Sequence, residues 1–286
     1  MKKIGLIDYY IDNWHACNLP GWLEAETGGE YKICFGYASW DPRPGEAGPH
    51  EGKLTTAEWC KKYGVQQCIS AQEVVDQSDV LMVLSPNNPE QHEELCQEAL
   101  ASGKRTYVDK TFAPDGETAG RLLRYAEQHG TPMFTSSALR FSTELKDEKK
   151  EGLRVVSTKG PGVFANYSIH QVEMIVTLLG AEAQRVMAVG TPQCPALAIG
   201  FSGGRFATMG QFGDGCPFSV SASYDDGSFL NIPECSDYFP NFVHELVDFF
   251  EGGERKAPAE ETVAVAKILE KGREALLDPG VWKMIE

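Results

Sequence analysis

The chain has 286 residues, of which 42% are apolar and 23% charged, and its formal net charge is -15. This length suits two domains better than one hydrophobic core, and the composition is that of an ordinary globular protein. The negative charge argues against a nucleic-acid partner or an anionic membrane, because both are polyanions that require a basic surface. A single anionic ligand in a locally basic cleft stays possible.

The cysteines and the amino terminus bear on the cellular compartment. Eight cysteines occur without a CxxC pair or a His-Cys cluster, which favours reduced thiols over a disulfide framework or a zinc site. The start MKKIGLIDYY reaches Asp8 too early for a secretory signal core. No apolar run approaches the ~20 residues needed to cross a bilayer. We therefore expect a soluble cytoplasmic protein.

Up to about residue 140, short apolar runs alternate with helical patterns, which is typical of a parallel, doubly wound sheet. The predicted strands are residues 4–7, 33–37, 80–84, 106–108 and 133–135. A crossover helix is predicted between the third and fourth of these strands, with His92, Cys96 and Ala99 one turn apart and Gly103 as its end. A second helix is predicted around residues 119–126. Residues 41–53 are rich in proline and glycine and predict a long loop.

Polar residues follow two of these strands. Ser85-Pro86-Asn87 comes after one central strand, and Asp109 and Lys110 come after the next. In an open parallel sheet, ligands bind outside the carboxyl ends of the strands. The sequence therefore predicts that these residues converge on one cleft.

Beyond Phe141 the pattern changes. The charged stretch 145–152 indicates either a surface crossing between domains or an exposed helix end. A helix with an apolar face follows and ends at Gly180. Apolar runs broken by glycine pairs and Asp-Gly turns between residues 186 and 230 predict a mainly antiparallel sheet, and helices near 240–251 and 260–277 complete the chain. The predicted class is thus α/β, with a doubly wound parallel sheet in residues 1–140 and an α+β domain with an open sheet in residues 141–286.

Three segments have a recognisable order: SPN at 85–87 with His92 behind it, ALASGKRTYVDKT at 99–111, and SIHQVEMIVTLLG at 168–180. In this order they resemble the Gfo/Idh/MocA family of oxidoreductases, the group of glucose-fructose oxidoreductase and inositol dehydrogenase. The resemblance covers nearly the whole chain. It implies a Rossmann-type nucleotide-binding domain followed by a domain for substrate binding and oligomerisation.

The resemblance also implies catalytic residues. The family's Glu-Lys-Pro motif corresponds to Asp109-Lys110-Thr111, and a histidine four residues after an aspartate corresponds to His170 after Asn166. Lys110 would hold and polarise a substrate hydroxyl or transfer its proton, and His170 would be a general acid/base. Asn166 can orient a sugar hydroxyl but cannot act as a carboxylate. The alternatives are a solvated lysine and a structural histidine at a helix start.

An NAD or NADP cofactor is implied as well, and no metal is expected. Ser85, Pro86, Asn87, His92 and Asp109 would line the cofactor site. Glu173, one turn beyond His170, could pair with that histidine or chelate a metal with it. Two ligands, however, do not make a metal site.

The largest departure from the family lies in the first turn after a strand. The glycines of a GxGxxG-like turn, which contact the cofactor in the family, correspond here to Asp8, Tyr10 and Asn13, so these three residues would also face the cofactor. A tyrosine ring obstructs the close approach of a pyrophosphate. Asp8 and Asp12 would repel a phosphate by about 1 to 4 kcal/mol at 4 Å, depending on the dielectric. The sequence therefore questions conventional dinucleotide binding at this turn.

The end of the second strand carries a further candidate. Asp41 stands where an acid commonly binds ribose hydroxyls, and Arg43 could instead receive a 2′-phosphate. Both residues could equally be part of a loop without such a role.

Two functions fit these observations. The first is an NAD(P)-dependent oxidoreductase that acts on a secondary alcohol of a sugar, cyclitol or related polyol, favoured by Lys110, His170 and the SPN turn. The second is a catalytically inactive relative that senses or binds a small molecule, favoured by the altered first turn and by Asn166. In either case we expect a homodimer or homotetramer, because an open apolar sheet face needs cover.

Overall fold

The computed structural model describes residues 1–43, 53–146, 148 and 150–286. The predicted loop 41–53 therefore lies largely outside the described residues, as do positions 147 and 149 of the charged stretch 145–152. The chain divides into two compact units: residues 1–113, 120–135 and 243–257 form the first, and residues 114–119, 136–242 and 258–286 form the second. The first unit thus includes residues from near the carboxyl terminus as well as the amino-terminal part.

The strands are β1 (Lys2–Asp8), β2 (Tyr31–Ala38), β3 (Gln66–Gln67), β4 (Val80–Val83), β5 (Thr106–Val108), β6 (Met133–Phe134), β7 (Leu153–Gly160), β8 (Ala183–Gly190), β9 (Pro195–Phe201), β10 (Phe206–Gln211), β11 (Ser219–Tyr224), β12 (Phe229–Ile232) and β13 (Lys283–Met284). The helices are α1 (Trp14–Thr27), α2 (Thr56–Tyr63), α3 (Ala71–Gln77), α4 (His92–Leu95), α5 (Gln97–Ala101), α6 (Gly116–Gln128), α7 (Phe164–Leu179), α8 (Tyr238–Phe250) and α9 (Ala259–Leu276). None of these helices is both long enough and apolar enough to pass through a bilayer.

The first unit contains a parallel sheet with the strand order β3-β2-β1-β4-β5-β6. This confirms the predicted doubly wound α/β architecture. The strands β4 and β5 are buried along their whole length, and β1 is buried from Ile4 to Asp8, as expected when both faces of a parallel sheet are covered. The carboxyl ends of β1, β4 and β5 therefore lie side by side at one edge.

The crossover helix predicted between β4 and β5 is interrupted. A 3-10 turn over Pro89–Gln91 leads into α4, and Cys96 separates α4 from α5. The N–H of Cys96 is shared between the carbonyls of His92 and Glu94, which weakens the regular hydrogen-bond ladder at that residue. The predicted apolar face is nevertheless buried, with Cys96 and Ala99 both inaccessible to solvent.

The second unit contains a sheet with the strand order β12-β11-β7-β10-β9-β8-β13. Neighbouring strands are antiparallel except for the parallel pair β7 and β10, which confirms the predicted mainly antiparallel sheet. In β7, Val156 and Thr158 are buried whereas Val155, Ser157 and Lys159 are exposed. One face of the sheet thus belongs to the core, where the apolar residues of α7 and α9 also lie, and the other face is open.

Two turn predictions in the second unit are confirmed. The helix α7 ends at Gly180, whose φ of 80° and N–H bond to Val176 O close the helix. The Asp225-Asp226-Gly227 segment joins β11 to β12 with Gly227 at a φ of 84°. Both positions use a backbone conformation that glycine adopts without strain.

Two glycines of the first unit give opposite predictions for substitution by alanine. A Cβ on Gly5 of β1 would lie 2.3 Å from Ser78 Oγ and 2.5 Å from Val74 Cγ1, so Gly5→Ala should lower the free energy of unfolding by about 1 to 3 kcal/mol. At Gly21 of α1, no heavy atom of the described residues lies within 4 Å of that position, apart from the adjacent residues and the backbone of the helix itself. Gly21→Ala should therefore raise stability by up to about 1 kcal/mol through helix propensity. Urea unfolding of both variants checks this, and equal effects would contradict it.

Candidate functional site

A pocket lies where β1 and β4 end. Its lining comes from two short segments and comprises Asp8, Tyr10, Asn13, Ser85, Pro86, Asn87 and Asn88. All but Asn88 are among the residues predicted to contact a cofactor. Ser85 has a φ of 85°, in the left-handed region that residues other than glycine rarely enter. Such outliers are concentrated at functional sites, and here the outlier sits at the turn that shapes the pocket.

Asn13 fills the first turn with its own side chain. Its Oδ1 accepts a hydrogen bond of 3.1 Å from Ala16 N–H and caps α1. Its Nδ2 donates to Asp8 Oδ2 at 2.8 Å and to Tyr10 O at 2.9 Å. The N–H group that the cap satisfies is one of those that would otherwise receive an anion at the start of the helix.

The other candidates near this turn are also bonded within the chain. The Tyr10 ring is 4% exposed and packs edge-on against Trp40, with centroids 5.5 Å apart. Asp12 Oδ2 accepts from the N–H groups of Lys53 and Leu54 at 2.7 and 2.9 Å. Asp41 Oδ1 accepts from the N–H and the hydroxyl of Thr56, both at 2.7 Å, at the start of α2. Arg43, the candidate for a 2′-phosphate, is exposed.

Asp8 is fully buried, and this changes its charge. Burial raises the pKa of its carboxyl to about 8, because an ion in the protein interior loses its hydration. Hydrogen bonds from Asn13 and from Tyr10 N–H lower the pKa but do not offset the burial, and the nearby Asp109 raises it further. The carboxyl is therefore mainly protonated at pH 7. The expectation that Asp8 repels a phosphate by like charge is thus wrong near neutral pH.

Asp109 is as deeply buried, at 1% exposure, but is ionised. Its Oδ2 lies 2.7 Å from His15 Nδ1, and its Oδ1 accepts from the Tyr107 hydroxyl and from Lys110 N–H at 3.0 and 2.8 Å. Burial by itself would raise the pKa of Asp109, yet the charge and hydrogen bond of His15 and the charge of Lys110 hold it at about 2. Asp109 thus anchors the start of α1 to the end of β5.

Lys110 is buried at 6% exposure, unlike the solvated loop lysine of the alternative interpretation. Its Nζ donates to Pro86 O at 3.3 Å, and its peptide bond to Thr111 is cis. Burial lowers the pKa of the ammonium group, against the opposing effect of Asp109. A lysine with a lowered pKa has a larger neutral fraction and can take up a proton.

His92, predicted to contact a cofactor, is fully buried and is not among the residues that line the pocket. Its ring nitrogens face two carbonyl oxygens, with Nδ1 at 2.9 Å from Phe112 O and Nε2 at 2.5 Å from Leu84 O. Burial lowers the pKa of its imidazole, although both carbonyls favour the charged form. The ring therefore connects the segments that follow β4 and β5.

His170 belongs to the second unit, in α7. Its Nδ1 lies 2.7 Å from Ser137 Oγ, and its ring meets those of Tyr167 and Phe218 edge-on at 5.7 and 5.5 Å. Asn166 lies one turn earlier and is partly exposed, and its N–H donates to Val163 O. Ser137 was not among the predicted site residues, because it is 33 positions from His170.

One alternative paired Glu173 with His170, but the structure pairs Glu173 with Arg140 instead. Its Oε1 accepts from Arg140 Nε at 2.6 Å, and Arg140 also donates to Glu261 Oε2 at 2.7 Å. Arg140 and Glu261 were also not among the predicted site residues. The position of Arg140 inside the apolar run ALRF, residues 138–141, could have indicated a buried ion pair. Across the part of the chain that the structure describes, no group of three His, Cys, Asp or Glu side chains is arranged to hold a metal ion.

Comparison with known proteins agrees with this architecture. Residues 48–136 match the model of the GFO_IDH_MocA family, described as "Oxidoreductase family, NAD-binding Rossmann fold". The resemblance to the Gfo/Idh/MocA family is thereby confirmed. No curated protein sequence matches the chain.

Solved structures share the fold over the whole chain. One is GenD2 from gentamicin A biosynthesis in complex with NAD, with a TM-score of 0.77, 13% identity, and 100% of this chain and 97% of that chain covered. Another is scyllo-inositol dehydrogenase from Lactobacillus casei with NAD(H) and scyllo-inositol, with a TM-score of 0.73, 14% identity, and 100% and 99% covered. An NAD binding oxidoreductase from Klebsiella pneumoniae has a TM-score of 0.72, 12% identity, and 100% and 99% covered. At these identities the likeness establishes the fold.

The raised pKa of Asp8 gives a prediction for stability. Between the unfolded value of 3.8 and the folded value of about 8, the folded chain keeps a proton that the unfolded chain has released. This group therefore lowers the free energy of unfolding by about 1.4 kcal/mol for each pH unit gained in that interval. Asp8→Asn removes the titration, so its stability relative to the wild type should rise by that amount per unit.

Urea unfolding at pH 5, 6 and 7 measures this difference. Asp76→Asn, on the exposed side of α3, controls for the loss of a carboxylate in general. A constant difference between Asp8→Asn and the wild type across the three pH values would show that Asp8 is ionised in the folded protein.

Proposed function

We propose that the chain is an oxidoreductase of the Gfo/Idh/MocA type that acts on a secondary alcohol of a sugar, cyclitol or related polyol. The observation that carries the proposal is Lys110, which the fold buries at the carboxyl end of β5 with a lowered pKa. Perturbed pKa values of this kind are concentrated at catalytic sites. The shared fold with an inositol dehydrogenase solved with scyllo-inositol supports the substrate class.

Oxidation of a secondary alcohol requires that its hydroxyl proton be accepted while the carbon loses a hydride. Burial favours the neutral amine of Lys110, the form that would act as a base for that proton, and the buried position keeps competing water away. His170 and Asn166, on the first turns of α7, supply an imidazole and an amide that can hydrogen-bond substrate hydroxyls. A bound nicotinamide cofactor would supply the hydride acceptor.

The residues at the pocket fit only part of such a cofactor. The SPN turn and Lys110 offer backbone and side-chain polar groups of the kind that bind a nicotinamide and its ribose. The first turn does not fit a diphosphate, because Asn13 caps α1 and because Asp8 and Tyr10 are buried where glycines would admit the ligand. We therefore propose NAD or NADP as the cofactor with its diphosphate held elsewhere than on the start of α1.

The same closed turn favours a second candidate function. A protein that keeps the polar pocket but does not hold a diphosphate at α1 could bind a small molecule without redox chemistry. Its signature would be a ligand-induced rise in melting temperature in the absence of turnover. The cofactor experiment decides between the two functions.

Titration with NADH and NADPH at millimolar concentration, followed by intrinsic fluorescence and by native mass spectrometry, is that experiment. The oxidoreductase proposal predicts binding of at least one of them, with turnover on a panel of inositols, hexoses and pentitols. Absence of binding for both would replace it with the binding-protein function.

Replacing Lys110 tests the catalytic assignment. Lys110→Met keeps the length of the buried side chain but removes the amine, so turnover should fall by about 10²-fold or more while cofactor binding and melting temperature persist. Lys61→Met, at an exposed position of α2, is the matched control and should leave turnover unchanged. Equal activity of the two variants would remove Lys110 from the mechanism.

We also propose a homodimer or homotetramer formed through the open face of the second sheet. Phe229 and Val155, 78% and 40% exposed, both pair with Ser223 and so lie in one cross-strand row. A second copy of this face would cover the row.

The eight unpaired thiols favour the cytoplasm as the compartment.

Charge on that row should weaken the assembly. Phe229→Asp combined with Val155→Asp should shift the mass measured by light scattering toward the monomer, because each carboxylate would lose water on association. Leu277→Asp, 89% exposed just beyond α9, serves as the control and should not change the mass. A monomeric wild type would refute the proposed assembly.

A further inference from the structure

Two glycines between β7 and α7 make room for aromatic rings of the second unit. A Cβ on Gly162 would lie 2.4 Å from Cγ and Cδ2 of Tyr167 and 2.8 Å from its Cδ1. A Cβ on Gly160 would lie 2.6 Å from Cδ1 and Cε1 of Phe218. Any side chain at these two positions would collide with the rings, and Gly162 also has a φ of 79°, which favours glycine.

The Tyr167 ring lies with one face on the backbone of Gly162. A point that is close to Cγ and to both Cδ atoms must be above the plane of the ring, because a point beyond the ring edge would be far from one Cδ atom. Tyr167 is nevertheless 39% exposed. The part of the ring that Gly162 does not cover is therefore available to a ligand.

Polar groups that can bind hydroxyls lie beside this ring. Asn166 precedes Tyr167 on the first turn of α7 and is partly exposed. Within the residues that the structure describes, the side chains of Asn166 and Tyr167 make no hydrogen bond. An amide has two N–H donors and an acceptor oxygen, and a phenol can both donate and accept. The start of α7 thus combines an apolar ring surface with uncommitted hydrogen-bonding groups.

This combination fits a polyol whose carbons form a ring. A cyclitol or a pyranose has C–H bonds on the faces of its ring and hydroxyl groups around the rim. The face of an aromatic ring carries partial negative charge and attracts the hydrogens of such C–H bonds. An open-chain polyol has no rigid C–H face, and it loses more conformational freedom when it is bound.

We propose that Tyr167 contacts the substrate and selects a ring-shaped polyol, a cyclitol or a pyranose, over an open-chain one. A C–H face of the substrate lies on the Tyr167 ring, and rim hydroxyls bond to the amide of Asn166. Gly162 positions the ring from its other face. This inference rests on the proposed function, in which the start of α7 meets the substrate, and it narrows the substrate class.

Binding of matched probes tests the selection. myo-Inositol and sorbitol each have six carbons and six hydroxyl groups, but only myo-inositol is a ring, and methyl glucopyranoside serves as a second ring-shaped probe. Dissociation constants are measured by NMR saturation transfer with NADH present, so that a site completed by the cofactor is also detected. The wild type should bind at least one ring-shaped probe several-fold more tightly than sorbitol.

Variants of Tyr167 identify the group responsible. Tyr167→Leu removes the aromatic face and should weaken binding of that ring-shaped probe by about three- to tenfold, the size of one aromatic contact, with little effect on sorbitol. Tyr167→Phe keeps the ring and should weaken it less. Phe229→Leu, at an aromatic residue of β12 that is 78% exposed, is the matched control and should leave binding unchanged.

Three results would overturn the inference: no binding of any probe, equal affinity of the wild type for sorbitol and the ring-shaped probes, or equal affinities of Tyr167→Leu and Phe229→Leu. Turnover separates this inference from the proposed function. Oxidation of sorbitol in preference to the ring-shaped probes would overturn the inference and leave the proposed function standing. Binding that depends on Tyr167 without any oxidation would refute the proposed function and leave the inference standing.

Discussion

The ionised carboxylate of Asp109 is the constraint around which the first unit's site is arranged. Removing a carboxylate from water costs several kcal/mol unless charges and hydrogen bonds replace its hydration. His15, the Tyr107 hydroxyl and the N–H of Lys110 supply that replacement. Because His15 belongs to α1 and Asp109 follows β5, their 2.7 Å contact links the start of the helix to the strand whose end carries Lys110.

The same constraint explains the chemistry of the neighbouring turn. Asp8 is buried close enough to Asp109 for the two carboxylates to interact, and two buried carboxylates cannot both be ionised cheaply. Asp109 is in contact with His15, which favours its ionised form. Asp8 keeps its proton, and its carboxyl oxygens are bonded to the Asn13 side chain and to Tyr10 N–H. A turn built of such mutual contacts has no need of a bound phosphate for its stability. A glycine-rich turn, in contrast, leaves its N–H groups for the ligand.

His15 and His170 make different polar contacts through Nδ1. His15 Nδ1 faces a carboxylate, whereas His170 Nδ1 faces the hydroxyl of Ser137. The second unit contains buried ion pairs of Arg140 with Glu173 and Glu261, and Arg140 lies three positions after Ser137 in the chain. Each unit therefore contains buried charged groups, and the two histidines differ in the group that faces Nδ1.

The sequence by itself determined the order of the elements and the place of the main site. The ends of β4 and β5, the stop of α7 at Gly180 and the parallel and antiparallel sheets follow from apolar periodicity and turn residues, which act over a few positions. Only the tertiary structure decided the charge of Asp8, the burial of Lys110 and the partner of His170. These depend on desolvation and on contacts between distant residues, such as the 33 positions between Ser137 and His170 and the 121 between Arg140 and Glu261. Local sequence patterns do not predict such pairs. A hydrogen bond between distant residues, or the loss of a side chain's hydration, arises only when folding has brought the groups together.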